Sequence, residues 1–96
     1  MKKKLIAMEN PRKYGNQPFT VAVIHGGPGA PGEMVPVIRK LSSVTGVLEP
    51  LQTKVTLEDQ VEELGNILEE HGDLPVNLIG FSWGAMVSYI FTALHP

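Results

Sequence analysis

The chain has 96 residues, with eight Lys and Arg against ten Asp and Glu for a formal net charge of −2, and it contains no cysteine. This length suffices for one small domain, and the weak negative charge gives no reason to expect nucleic acid binding. The lack of cysteine excludes disulfides, thiolate catalysis and cysteine-based zinc sites.

Residues 1–18 form a weakly defined lead-in. Within it, residues 5–8 (LIAM) are a candidate strand, and residues 11–18, which begin and end with proline, are predicted to form a turn region. The apolar run at 5–8 is too short for a signal peptide or a membrane helix. We therefore expect a cytoplasmic protein with no membrane partner.

Strands and helices are predicted to alternate from residue 19 onward. The run 19–24 (FTVAVI) is short, β-branched and almost wholly apolar, which is typical of a strand buried on both faces. A helix is predicted over 33–41 from the helical spacing of its apolar residues, and a short strand over 46–48, closed by Pro50.

The clearest helical pattern begins at Thr56, which has the position of an N-cap, and ends before Gly72, predicted as the C′ glycine. A strand over 76–79 and a helix over 85–94 follow. Alternating strands and helices indicate right-handed βαβ units. The predicted fold is therefore α/β, with a mostly parallel sheet and helices on both faces.

Gly80, Ser82 and Gly84 form a GxSxG pattern between the last predicted strand and the last predicted helix. In this context the serine occupies a sharp strand-to-helix turn that exposes its Oγ, and side chains in place of the two glycines would collide. The N–H of Trp83 would face an oxyanion forming beside Ser82. The alternative is that Ser82 is an ordinary helix N-cap, a role serine often fills.

A second glycine-rich motif, HGGPG at 25–29, follows the buried strand 19–24. It leaves backbone N–H groups unshielded, so that such a loop can approach a substrate closely. A phosphate-binding loop is disfavoured because the stretch lacks both GxGxxG spacing and a GK[ST] ending. A tight turn at the strand end is the structural alternative.

Together, "HGGPG" and "GFSWGA" resemble the α/β-hydrolase family, and more narrowly its proline iminopeptidase-like branch. The resemblance covers residues 19–96 and only the amino-terminal part of the family's fold. It implies that Ser82 is the catalytic nucleophile and that the N–H groups of Gly27 and Trp83 form the oxyanion hole. It also implies that the remaining motif residues support the turns: His25, Gly26, Pro28, Gly29, Gly80 and Gly84.

The chain departs from the family pattern after its third predicted strand. Many relatives have an Asp-Arg-Gly type turn there, whereas this chain has Glu49-Pro50-Leu51-Gln52. This difference weakens assignment to the aminopeptidases in particular.

A nucleophilic serine needs a histidine base and an acid, which in this fold follow it in the chain. After Ser82 the sequence has no Asp or Glu, and its only histidine is His95, roughly 20 Å away along a helix at about 1.5 Å per residue. The helix over 85–94 is apolar on almost every face, as expected inside a larger body. We interpret residues 1–96 as the amino-terminal portion of a longer α/β-hydrolase domain.

Two functions remain open. The first is a serine hydrolase that acts on a small ester, amide or peptide substrate through an acyl-enzyme, without metal or cofactor, and is nearly inactive as this chain alone. The alternative is a non-catalytic or partner-dependent chain that pairs through an exposed sheet edge, with self-association through its uncovered apolar surface. A nucleotide-binding module is disfavoured because the glycine-rich stretch has neither GxGxxG spacing nor a GK[ST] ending. If the hydrolase interpretation is right, Gly26, Gly27 and Pro28 should lie beside Ser82.

Overall fold

The computed structural model describes residues 10–26 and 34–95. The predicted strand at 5–8 lies outside these residues, as do Gly27, Pro28 and Gly29. The elements, in chain order, are β1 (Arg12–Tyr14), β2 (Phe19–Ile24), α1 (Val35–Leu41), β3 (Gly46–Glu49), α2 (Leu57–His71), β4 (Asn77–Gly80) and α3 (Trp83–Leu94).

The described strands form one sheet in the order β1-β3-β2-β4. β2 pairs in parallel with both β3 and β4, whereas β1 runs antiparallel to β3. The α/β class is confirmed, but the prediction of a mostly parallel sheet is wrong because the sheet is mixed.

The antiparallel strand β1 lies within the segment 11–18, where only turns were predicted. It is held by Glu49, a fully buried residue at the end of β3. Arg12 Nη1 lies 3.7 Å from Glu49 Oε1, and the Tyr14 hydroxyl donates to the same oxygen at 3.2 Å. Burial and the neighbouring Glu49 carboxylate raise the pKa of Tyr14 above its ordinary value.

Alternate residues of the central strands face opposite sides of the sheet, as the period of two requires. On one side, Ala22, Ile24 and Leu48 join a core built from α2 and α3. On the other side, Val23 and Val47 pack against Ile38 of α1. Helices therefore cover both faces of β2 and β3, and the carboxyl ends of the parallel strands lie at one edge of the sheet.

Helix α2 follows its predicted pattern closely. Thr56 caps it, because its Oγ1 accepts the Asp59 N–H at 3.1 Å. Gly72 ends it as the C-cap residue, one position before the predicted C′, and has an extended conformation with φ −89° and ψ 152°. The glycine is needed for space, since a Cβ there would lie 2.8 Å from the Leu68 carbonyl oxygen.

Within residues 10–26 and 34–95, no helix combines the length and apolar character needed to cross a membrane.

Candidate nucleophile site

Ser82 lies in the turn between β4 and α3. The strand ends at Gly80 and the helix begins at Trp83, two residues before the predicted start at 85. Ser82 has φ 57° and ψ −118°, a combination that costs a residue with a side chain of order 1–3 kcal/mol. The predicted strand-turn-helix geometry is confirmed.

The side chain of Ser82 does not act as a helix cap. Ser82 occupies the N-cap position of α3, yet its Oγ accepts no hydrogen bond from the first turn. The residue is also exposed. An ordinary capping serine has extended backbone and bonds the N2 or N3 amide, so the capping alternative does not explain this conformation.

The first turn of α3 leaves one backbone donor free beside Ser82. Gly84 N–H donates to the Phe81 carbonyl and Ala85 N–H to the Ser82 carbonyl, both at 2.9 Å. The Trp83 N–H, one of the unpaired donors at a helix start, has no acceptor among residues 10–26 and 34–95. It is available to an anion at the turn.

The two motif glycines are required by close backbone contacts. A Cβ on Gly80 would lie 2.6 Å from the Cα of Ala85, across the turn, as predicted. A Cβ on Gly84 would instead collide with the carbonyl oxygens of Ile24 and His25 and lie 2.8 Å from the Ile24 carbonyl carbon. Gly84 therefore sets how closely α3 approaches the end of β2.

The same contact brings His25, the first residue of the HGGPG motif, against Gly84 of the GxSxG motif. β2 and β4 are paired in register, with Ile24 opposite Gly80, and the Phe81 N–H donates to the Ile24 carbonyl at 3.2 Å. Gly26 thus lies two residues beyond the end of β2, and the neighbouring strand β4 leads directly into Ser82. The expected proximity of Gly27 and Pro28 to Ser82, and the oxyanion role of Gly27, concern positions outside the described residues.

His25 is a buried structural partner of the segment after β3. It is 1% exposed, its Nε2 accepts the Gln52 N–H at 3.1 Å, and its carbonyl accepts from Gln52 Nε2 at 2.9 Å. Because Nε2 acts as an acceptor, the neutral ring carries its proton on Nδ1. This geometry fits a loop support better than a base for Ser82.

Neither of the two other histidines lies beside the serine: His95 follows the far end of α3, and His71 is close in sequence to Asp73, whose N–H donates to the Phe19 carbonyl at the opposite end of β2 from Ile24. His95 follows α3 and stacks on Phe91 with ring centroids 4.6 Å apart, and the length of α3 separates it from Trp83 by about 18 Å at 1.5 Å per residue. His71 ends α2, with its Nε2 3.6 Å from Glu70 Oε1. Neither is placed to take the Ser82 proton.

The pattern of apolar residues did not identify Gln60, which contacts the site from α2. It is 3% exposed, accepts the indole Nε1–H of Trp83 at 2.6 Å and donates from Nε2 to the Lys54 carbonyl at 3.0 Å. One signal was available in the sequence, because Gln60 is four residues before Leu64 and thus lies on the apolar stripe of α2.

A groove of about 860 Å³ lies between α2, α3 and the start of β4. Its lining includes Leu74, Asn77 and Phe91. β4 runs from this groove toward Ser82, so the groove lies at the opposite end of the strand and does not serve the serine.

The strained backbone of Ser82 gives a prediction on stability. Ser82→Gly should be more stable than Ser82→Ala by about 1 kcal/mol, because glycine adopts this φ freely whereas alanine keeps the strain. Urea unfolding of both variants measures the difference. The same pair at Ser88, in the middle of α3, should show the opposite order, since glycine in a helix is less stable than alanine by about 1 kcal/mol. Equal stabilities at position 82 would contradict a strained turn.

Comparison of the chain with protein-family models, with characterised proteins and with solved structures found no match. The resemblance to α/β hydrolases therefore depends on the two motifs and on the geometry around Ser82.

Proposed function

We propose that Ser82 is the nucleophile of a serine hydrolase of the α/β-hydrolase type, which cleaves an ester or amide through an acyl-enzyme. The observation that carries this proposal is the conformation of Ser82. Ser82 has a positive φ and an exposed Oγ that does not cap the helix. It lies beside the N–H of Trp83, which has no acceptor within the described part of the chain, and a nucleophile and an oxyanion donor need this arrangement.

In the proposed reaction, Ser82 Oγ attacks the substrate carbonyl and passes its proton to a base. The carbonyl oxygen becomes an oxyanion that accepts the Trp83 N–H, and a second donor from Gly27 completes the hole. When this intermediate collapses, the bond to the leaving group breaks, the base returns its proton to that group, which departs as an alcohol or amine, and the acyl group stays on Ser82. Water, losing a proton to the base, then attacks the acyl carbonyl and releases the acid, and Ser82 regains its proton.

The test is acylation of Ser82 with p-nitrophenyl acetate in the presence of added imidazole, which supplies a base and also forms N-acetylimidazole, so that the informative quantity is the selectivity for Ser82 over other serines. Mass spectrometry of the peptides locates acetyl esters on serine. We expect acetyl to accumulate on Ser82 faster than on Ser42 or Ser43, and to increase with imidazole concentration. Those two serines are natural controls, because each hydroxyl donates to a backbone carbonyl at the end of α1. Equal acetylation of the three serines would overturn the proposal.

The alternative function, a chain that depends on a partner, is favoured by one surface. β4 is the last strand of the described sheet, and Ile79, Phe81, Met86 and Tyr89 on and after it are 37%, 52%, 48% and 75% exposed. An apolar strand edge of this kind pairs readily with another polypeptide. Sedimentation of the purified chain distinguishes a monomer from an associated form.

A further inference from the structure

A buried amide connects α2 to the start of α3. Gln60 is nearly fully buried, and both polar atoms of its side chain are paired, Oε1 with the Trp83 indole and Nε2 with the Lys54 carbonyl. At 2.6 Å, the indole hydrogen bond is at the short end for an N–H donor.

These two partners determine the orientation of the amide. The indole Nε1–H is a donor only and the Lys54 carbonyl is an acceptor only. A flipped amide would place N–H against N–H and oxygen against oxygen, leaving two buried polar groups unpaired at about 1–3 kcal/mol each. Gln60 therefore holds the indole in one position.

The segment 50–55 between β3 and α2 supports both halves of the site. Gln52 bonds the backbone and ring of His25, at the end of β2, while the Lys54 carbonyl bonds Gln60. The segment itself is anchored by Thr53, whose N–H and hydroxyl both bond the Glu63 carboxylate. Trp83 is thus tied through Gln60 to the same segment that holds His25.

We propose that Gln60 is a positioning residue for the Ser82 site. By fixing the indole of Trp83, the first residue of α3, it fixes the backbone N–H of that residue relative to Ser82 Oγ. The catalytic part of this inference depends on the proposed function, whereas the restraint on Trp83 does not.

The restraint can be measured directly because Trp83 is the only tryptophan of the chain. Its single indole N–H resonance in a nitrogen–proton NMR spectrum reports the hydrogen bond to Gln60. We expect Gln60→Leu to move that resonance upfield and accelerate its exchange with water. Gln60→Glu keeps an acceptor oxygen for the indole but loses the donor to the Lys54 carbonyl, so it should restore slow exchange only in part. Asn66→Leu, an amide replaced on the exposed face of the same helix, is the matched control and should leave the resonance unchanged.

The effect of Gln60 on the proposed reaction is measured as the rate at which Ser82 is acetylated in the presence of imidazole. Gln60→Leu should slow it about tenfold or more, because a misplaced donor loses much of its stabilisation of the oxyanion. Gln60→Glu should recover part of the rate, because it keeps the acceptor for the indole, and Asn66→Leu should not change it. An unchanged indole resonance in Gln60→Leu, or a changed resonance with an unchanged acetylation rate, would overturn the inference. Failure of the unmodified chain to acetylate selectively at Ser82 would instead overturn the proposed function, with the indole measurement unaffected.

Discussion

The Gly84→Ala variant should be destabilised by about 3 kcal/mol or more, at the upper end of the range for overpacking. The added Cβ would overlap the carbonyl oxygens of Ile24 and His25, which are backbone atoms fixed by the pairing of β2 with its neighbours. A flexible side chain can rotate away from a new methyl group, but a sheet backbone cannot. Relief would require α3 to move off the end of β2.

Urea unfolding followed by circular dichroism measures this loss. Gly65→Ala is the matched control, because it adds the same methyl group to a glycine inside helix α2, where the nearest atom is the edge of the Phe91 ring, 3.0 Å away. The ring can shift, and alanine gains helix propensity of about 1 kcal/mol, so the control should be close to neutral. Similar stabilities for the two variants would show that α3 is not in backbone contact with β2.

The second large effect concerns turnover. We expect the chain to release at most about one equivalent of p-nitrophenol from a p-nitrophenyl ester through Ser82, without sustained turnover. A general base typically raises the rate of a step by about 10²- to 10⁴-fold. None of the described histidines is placed to act as this base in acylation or in deacylation. When triad residues are removed from a serine hydrolase, the oxyanion hole and substrate binding still accelerate the reaction by about 10³- to 10⁴-fold over water.

The measurement compares p-nitrophenol release by the chain and by Ser82→Ala, after sedimentation has established that both are monomeric. A slow release of at most about one equivalent of p-nitrophenol, absent from Ser82→Ala, is the expected result. Sustained turnover that depends on Ser82 in a monomer would contradict it, and would mean that a base within the chain reaches the serine. Each histidine could then be replaced in turn to identify that base.

The serine turn could be predicted from the sequence because its determinants are local, except for Gly84, which is required by contact with the end of β2. A short apolar strand, two glycines around a serine and an apolar helix are consecutive in the chain, and together they leave few backbone conformations for Ser82. The cap of α2 was equally predictable, since Thr56 and Asp59 are three residues apart. Buried strands were recognisable because β2 and β3 consist mainly of apolar residues that face both cores.

The other features depend on partners that are distant in sequence. β1 is only three residues long and polar, and it forms because Tyr14 bonds Glu49, 35 residues away, on a strand that offers it an open edge. Gln60 and its partner Trp83 are 23 residues apart in the sequence, and only packing of α2 against α3 brings them into hydrogen-bonding contact. Apolar periodicity encodes which face of an element is buried. The choice of neighbouring strand, and the pairing of buried polar groups, are decided only when the tertiary structure brings specific donors and acceptors within hydrogen-bonding distance.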